Sequence, residues 1–159
     1  MRMELGRDML AAMSLYDSDF HAWAREQADA VRRRSLNELD WENVAEELES
    51  LGKQQRRELR NRYQVLLMHL LKLAYQSDRR TRSWDETVNE QRRAIREHLD
   101  ENPSLRASNG ELFRSAFQRA RELAAYETSL HESMFPVEPP FTPEQALDDQ
   151  FWPGVEMQS

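Results

Sequence analysis

Leu59-Arg60-Asn61-Arg62-Tyr63-Gln64-Val65-Leu66-Leu67-Met68-His69-Leu70-Leu71-Lys72-Leu73-Ala74 is the stretch whose reading decides the fold. Leu59, Tyr63, Leu66, Leu67, Leu70, Leu73 and Ala74 recur mostly at spacings of three and four, the period of an α-helix and not of a strand. After Tyr63 apolar residues cover most of the helix circumference, which places this half at the centre of a bundle. The richest apolar run, 65–74, is interrupted by His69 and Lys72. It falls far short of the roughly 20 residues that cross a bilayer, so no membrane role is expected.

On the N-terminal side, Asp17 opens a helix to about Arg34, with Phe20, Trp23, Ala24, Gln27 and Val31 on one face. Arg32, Arg33 and Arg34 close it, where positive charge suits the helix dipole. Ser35 and Asp40 offer further start signals. Trp41, Val44, Leu48 and Leu51 then form one apolar stripe, and Gly52 marks a stop or a bend. On the C-terminal side, Ser83-Trp84-Asp85-Glu86 and Ser108-Asn109-Gly110-Glu111 read as capping boxes. The helices they open carry Trp84, Val88, Gln91, Ile95 and Leu99, and then Phe113, Ala116, Phe117, Ala120, Leu123 and Ala124. The second of these is expected to end near His131.

The expected architecture is all-α: an up-and-down helical bundle of about five helices with an extended Pro-rich tail packed on it. An N-terminal extension spans 1–14, the bundle 15–134 and the tail 135–159, all in one domain. Pro136, Pro139, Pro140 and Pro143 keep the tail extended, while Thr142-Pro143-Glu144-Gln145 opens one short helix. One bundle with its tail has room for all the apolar residues, so a monomer or a homodimer is equally compatible with the sequence.

The chain has 159 residues and no Cys, which rules out disulfides, thiolate metal sites and a Cys nucleophile. Glu4 and Asp8 interrupt the N-terminus, so no secretory signal is read there, and a cytoplasmic setting is expected. Net charge is −7, yet between Lys53 and Arg96 there are 12 Lys/Arg against 5 Asp/Glu, a local +7. Either basic and acidic helices pair inside one fold, or a basic surface faces an anionic partner.

The order of motifs resembles the bacterial family known as Domain of Unknown Function 29. The matching pieces include Tyr16-Asp17-Ser18-Asp19-Phe20-His21-Ala22-Trp23 and Leu39-Asp40-Trp41-Glu42-Asn43-Val44 through Gly52. His69-Leu70-Leu71-Lys72, Ser83-Trp84, Arg92-Arg93 and Pro103-Ser104-Leu105 follow, then Ala120-Arg121, Tyr126-Glu127-Thr128, Phe135-Pro136 and Phe151-Trp152-Pro153. The resemblance covers about Leu15 to Pro153 and implies an all-helical bundle. It implies no reaction, cofactor or catalytic residue.

Catalytic constellations are missing from the sequence. None of His21, His69, His98 or His131 has a Glu three residues before it, so the di-iron pattern of helical bundles is absent, as are zinc and phosphate-loop motifs. No metal or cofactor is expected, and the acidic cluster of Glu46, Glu47 and Glu49 reads as a solvated helix face. His69, inside an apolar stretch, needs a carboxylate or a backbone carbonyl as partner. Trp41 and Trp84, each at a helix start, read as core anchors. His69, Lys72, Trp84 and Arg92 are the candidate ligand or partner contacts, a set suited to a planar anion. Arg62 and His69 also form an Arg-x6-His pattern similar to that of the HEPN ribonucleases, in which His acts on an RNA 2′-hydroxyl and Arg steadies the phosphate. The leading expectation is a non-enzymatic protein-interaction or adaptor bundle. The alternative is an RNA-binding or RNA-cleaving bundle using Arg62 and His69.

Overall fold

The computed structural model describes residues 14–154. Most of the expected N-terminal extension and the last five residues of the tail lie outside the described residues. Six α-helices and no strand occur among the described residues: α1 Leu15–Ser18, α2 Phe20–Arg33, α3 Trp41–Tyr75, α4 Arg82–Glu101, α5 Asn109–Thr128 and α6 Pro143–Leu147. The all-α expectation therefore holds. The described residues fall into two compact units, one ending at Gly52 and the other starting at Lys53, within α3.

Several helix ends differ from the sequence reading, each for a local reason. The first long helix starts at Phe20, because the Asp19 carboxylate, and not that of Asp17, accepts from the Ala22 amide at 3.0 Å. Ser14 caps the separate single turn α1. Gly52 does not stop the helix, and α3 runs 35 residues through it. Strong helix formers on both sides (Ala45 to Leu48, Lys53 to Arg57) outweigh the roughly 1 kcal/mol that one interior glycine costs. α4 starts at Arg82 and not after Ser83, because the Thr81 hydroxyl accepts from the Trp84 amide. Ser108 does not cap α5, since its Oγ accepts from Arg56 Nη1 at 2.8 Å. α5 ends at Thr128, where Ser129 turns left-handed (φ 58°). Thr142 and Gln145 do form a capping box, each side chain bonded to the other's amide.

In the unit from Lys53, the decisive stretch of α3 lies at the centre of the core. Leu59, Tyr63, Leu66, Leu67, Leu70 and Leu73 are buried. Against them pack Val88, Ile95 and Leu99 of α4, and Phe113, Ala116, Phe117, Ala120 and Ala124 of α5. At about 1.5–3 kcal/mol for each large side chain buried, this core is the main source of stability. Tyr63 and His98 each find a polar partner at this core. Tyr63 donates to Asn109 Oδ1 at 2.7 Å, and burial pushes its phenol up to about 12. The ring nitrogen Nε2 of His98 lies 2.9 Å from the Gln55 carbonyl, tying α4 to α3. From residue 135 onward Phe135, Phe141 and Ala146 belong to the same core.

The unit up to Gly52 is a helical hairpin of α2 and the first turns of α3. Arg34, in the left-handed region (φ 56°), ends α2. The Trp23 indole donates to Asp40 Oδ2 at 3.2 Å, and the Asp40 amide donates to Gln27 Oε1 at 2.7 Å.

Gly52 is exposed and a Cβ there would meet nothing within 4 Å. Gly52→Ala is expected to raise stability by about 0.5–1 kcal/mol, read as a higher urea midpoint. A lower midpoint would mean that the helix needs flexibility at this point.

Candidate functional site

Polar and aromatic contacts, more than a core, hold the hairpin together. Tyr16, Phe20 and Trp23 cluster with ring centroids 4.8–5.7 Å apart. Tyr16 also donates to Glu47 Oε1 at 2.5 Å. Asn43 Nδ2 donates to Asp40 Oδ2 at 2.7 Å, and these bonds hold the Asp40 carboxyl below its ordinary range. Of the hairpin's apolar side chains only Trp23 and Ala30 are buried.

Its other apolar residues face solvent. Phe20, Val31, Leu36, Trp41, Leu48 and Leu51 are each half or more exposed, Trp41 at 59% and Leu48 at 64%. The expectation that Trp41 anchors a core, and that one bundle absorbs every apolar residue, is therefore corrected. The reason is rotational. α2 covers the flank of α3 that carries Asp40, Asn43, Val44 and Glu47, at helical spacings of three, one and three. The neighbouring flank, with Trp41, Ala45, Leu48 and Gly52, is left open. The Trp41 indole still finds an acceptor, the Leu36 carbonyl at 3.2 Å, but its ring stays outside. Exposed carboxylates of Glu42, Glu46 and Glu49 lie on the same turns. Soluble chains seldom expose apolar surface on this scale unless it meets another molecule.

The four candidate contacts separate into two groups. Lys72 on α3 is buried, with Nζ 2.6 Å from Glu127 Oε2 on α5 and 4.2 Å above the Trp84 ring on α4. Three helices thus meet on one ammonium, which is neutralised by its own fold. His69 lies one turn away, half-buried, with Nδ1 2.9 Å from the Val65 carbonyl, the backbone partner its setting requires. Burial is the main cause that holds its imidazole below the usual range. Lys72 acts in the same direction, while the Val65 carbonyl and Glu127 oppose it.

Arg92 is elsewhere. It is 0% exposed, with Nε donating to the Ala146 carbonyl at 2.8 Å and Nη2 to the Phe151 carbonyl at 2.6 Å. The Trp152 ring lies 5.0 Å from its guanidinium carbon, and Arg80 approaches the same ring at 4.9 Å. Arg92 Nη1 is buried without a partner. Burial lowers its pKa, opposed by Asp149 and Asp148. The planar-anion set does not converge on a shared opening, because Lys72 is taken up by Glu127 and the Trp84 ring while Arg92 binds carbonyls of α6 and of the segment after it.

Arg62 and His69 share a face of α3 but lie two turns apart, about 10 Å along the axis. Arg62 pairs with Glu58 at 2.7 Å, so the Arg-x6-His pattern does not converge on one point. Sequence reasoning missed the open hairpin face and the Glu127 partner of Lys72. For the first, the usable signal was arithmetic: one short hairpin cannot bury two apolar stripes. For the second, Tyr126-Glu127-Thr128 stood among the motifs with no role attached.

Residues 15–152 match the model of a family described as Domain of unknown function DUF29. No curated protein and no solved structure matches the chain.

Replacing Arg92 strands the carbonyls of Ala146 and Phe151, the first of them buried. Arg92→Met is expected to lower unfolding free energy by about 2–4 kcal/mol, and Arg92→Lys to recover less than half of that, because an ammonium cannot reach both oxygens as a planar fork does. Urea denaturation checks both. For His69, an unfolded chain takes up a proton at about pH 6.5 while the fold resists it. Its contribution is therefore present above that pH and lost as the pH falls. His69→Gln should lose less stability than the parent between about pH 7 and pH 5, measured by paired melts. Equal losses would show that this imidazole protonates freely in the fold.

Proposed function

The chain belongs to the DUF29 family, and from that premise we propose that it is a non-enzymatic protein-interaction module whose α2–α3 hairpin docks a partner. The observation that carries this reading is the exposure of six large apolar side chains on a hairpin that buries only Trp23 and Ala30, with Trp41 and Leu48 on the open flank of α3. Covering them gains about 1.5–3 kcal/mol for each side chain fully removed from water, before the cost of association. Trp41, Leu48 and Leu51 along α3 suit a helix laid alongside, and the small Ala45 and Gly52 beside them leave room for its side chains. Exposed Glu42, Glu46 and Glu49 favour a partner helix with basic flanks.

The side chains best suited to acid, base or anion-clamp chemistry support a binding role. Lys72, His69 and Arg92 direct their polar atoms into the fold itself. No helix among the described residues is long and apolar enough to cross a membrane. The reading carries with it a bacterial, cytoplasmic setting and needs no cofactor. A charge-rich sequence without Cys agrees with that setting.

Photo-crosslinking from position 48 tests the reading. A photoreactive residue replacing Leu48, in the full chain inside the producing cell, should give a discrete protein adduct. The same group replacing Arg82, exposed on α4, should not. An adduct of twice the chain mass makes the partner a second copy. Equal labelling from both positions, or none from position 48, overturns the proposal.

A further inference from the structure

Most of the positive charge between Lys53 and Arg96 is satisfied internally. Arg62, Lys72, Arg80, Arg82, Arg93 and Arg96 each meet a carboxylate at 3.0 Å or less. Arg92 is held by backbone carbonyls. The five remaining cations are not scattered. Arg79 stands apart on a turn, while Lys53, Arg56, Arg57 and Arg60 line one groove of about 320 Å³ between α3 and the first turns of α5.

Their spacing of three, one and three residues sets them on one face of α3, in a row about 10 Å long. Arg56 is anchored by its bond to Ser108 and stands 3.6 Å from Glu111, the one carboxylate lining the groove. Lys53, Arg57 and Arg60 have no ion-pair partner among the described residues. The Arg60 Nε–H is shut from solvent with no acceptor, a donor left unmatched by the fold. Ser115 on the opposite wall adds a hydroxyl. Like charges brought this close repel one another, and an anion between them removes that cost.

We propose that this groove binds a compact oligophosphate: the phosphate chain of a nucleotide, or a free inorganic oligophosphate, lying along the Lys53–Arg60 face. Phosphate oxygens accept well from guanidinium forks and would supply the acceptor that Arg60 lacks. Compactness follows from size: the four cations occupy one row about 10 Å long, and Glu111 in the same groove leaves it a net +3, a match for a few phosphates.

Calorimetric titration of the full chain with inorganic tripolyphosphate tests it, at low and at high salt. The parent should bind at low salt and weaken as salt rises. Arg57→Ala/Arg60→Ala should weaken binding by about tenfold or more, while Arg79→Ala leaves it unchanged. If the double variant fails to fold by circular dichroism, Arg57→Glu at its exposed position should give the same loss. ATP bound as tightly as tripolyphosphate identifies a nucleotide as the ligand; tripolyphosphate alone identifies the free anion. No binding at low salt, an equal loss in Arg79→Ala, or affinity for single-stranded RNA that exceeds tripolyphosphate and grows with length overturns the proposal.

Discussion

A guanidinium fully removed from solvent sets the terms for the unit from Lys53. Arg92 cannot shed its charge in a protein, and an unpartnered charge inside a core costs many times what one side chain contributes. Its partners are not other side chains but the carbonyls of Ala146 and Phe151. The backbone after α5 must therefore pass over α4 with two oxygens turned inward. Arg96 repeats the device one turn on, donating to the Leu147 carbonyl at 2.8 Å and pairing with Asp149. The residues around these carbonyls follow: Ala146 and Phe141 enter the core, and Phe151 packs edge-on against Phe141. Buried polarity here specifies where the chain goes more than it adds to stability.

Much of the fold was legible in the sequence, because helical periodicity reports one property well: which side of a helix is apolar. Leu59 to Leu73 is buried as its pattern says, since an all-round apolar segment has only one place to go. Periodicity does not report what covers an apolar side. Trp41, Val44, Leu48 and Leu51 show as clean a stripe as any, yet three of the four are exposed. The four tryptophans make the same point. Trp23 is buried, Trp84 carries an ammonium on its face, Trp152 is flanked by two guanidinium groups and Trp41 stands in solvent. Residue type alone does not separate these settings.

Charge was legible as a total and not as an arrangement. The excess between Lys53 and Arg96 is plain in the sequence, but Lys72 finds Glu127 55 residues away and Arg96 finds Asp149 53 residues away. Pairings of that range are set by packing, which no local pattern encodes. Only once they are subtracted do Lys53, Arg56, Arg57 and Arg60 stand out as one row. The sequence named His69, Lys72, Trp84 and Arg92 as ligand or partner contacts; in the fold Lys72, Trp84 and Arg92 join one element to another, and His69 bonds a carbonyl of its own helix.

The long reach of Arg92 also bears on how the molecule comes into being. Its two carbonyl partners lie 54 and 59 residues downstream. During synthesis α3, α4 and α5 leave the ribosome before either partner has emerged, and helices with mostly local contacts form quickly. Until residue 151 has emerged, the guanidinium must stay hydrated, holding open the side of the nascent helices that will later be sealed. The segment around residue 151 is thus the one that dries the interior, and until it docks the helices made before it carry a charged, wet seam.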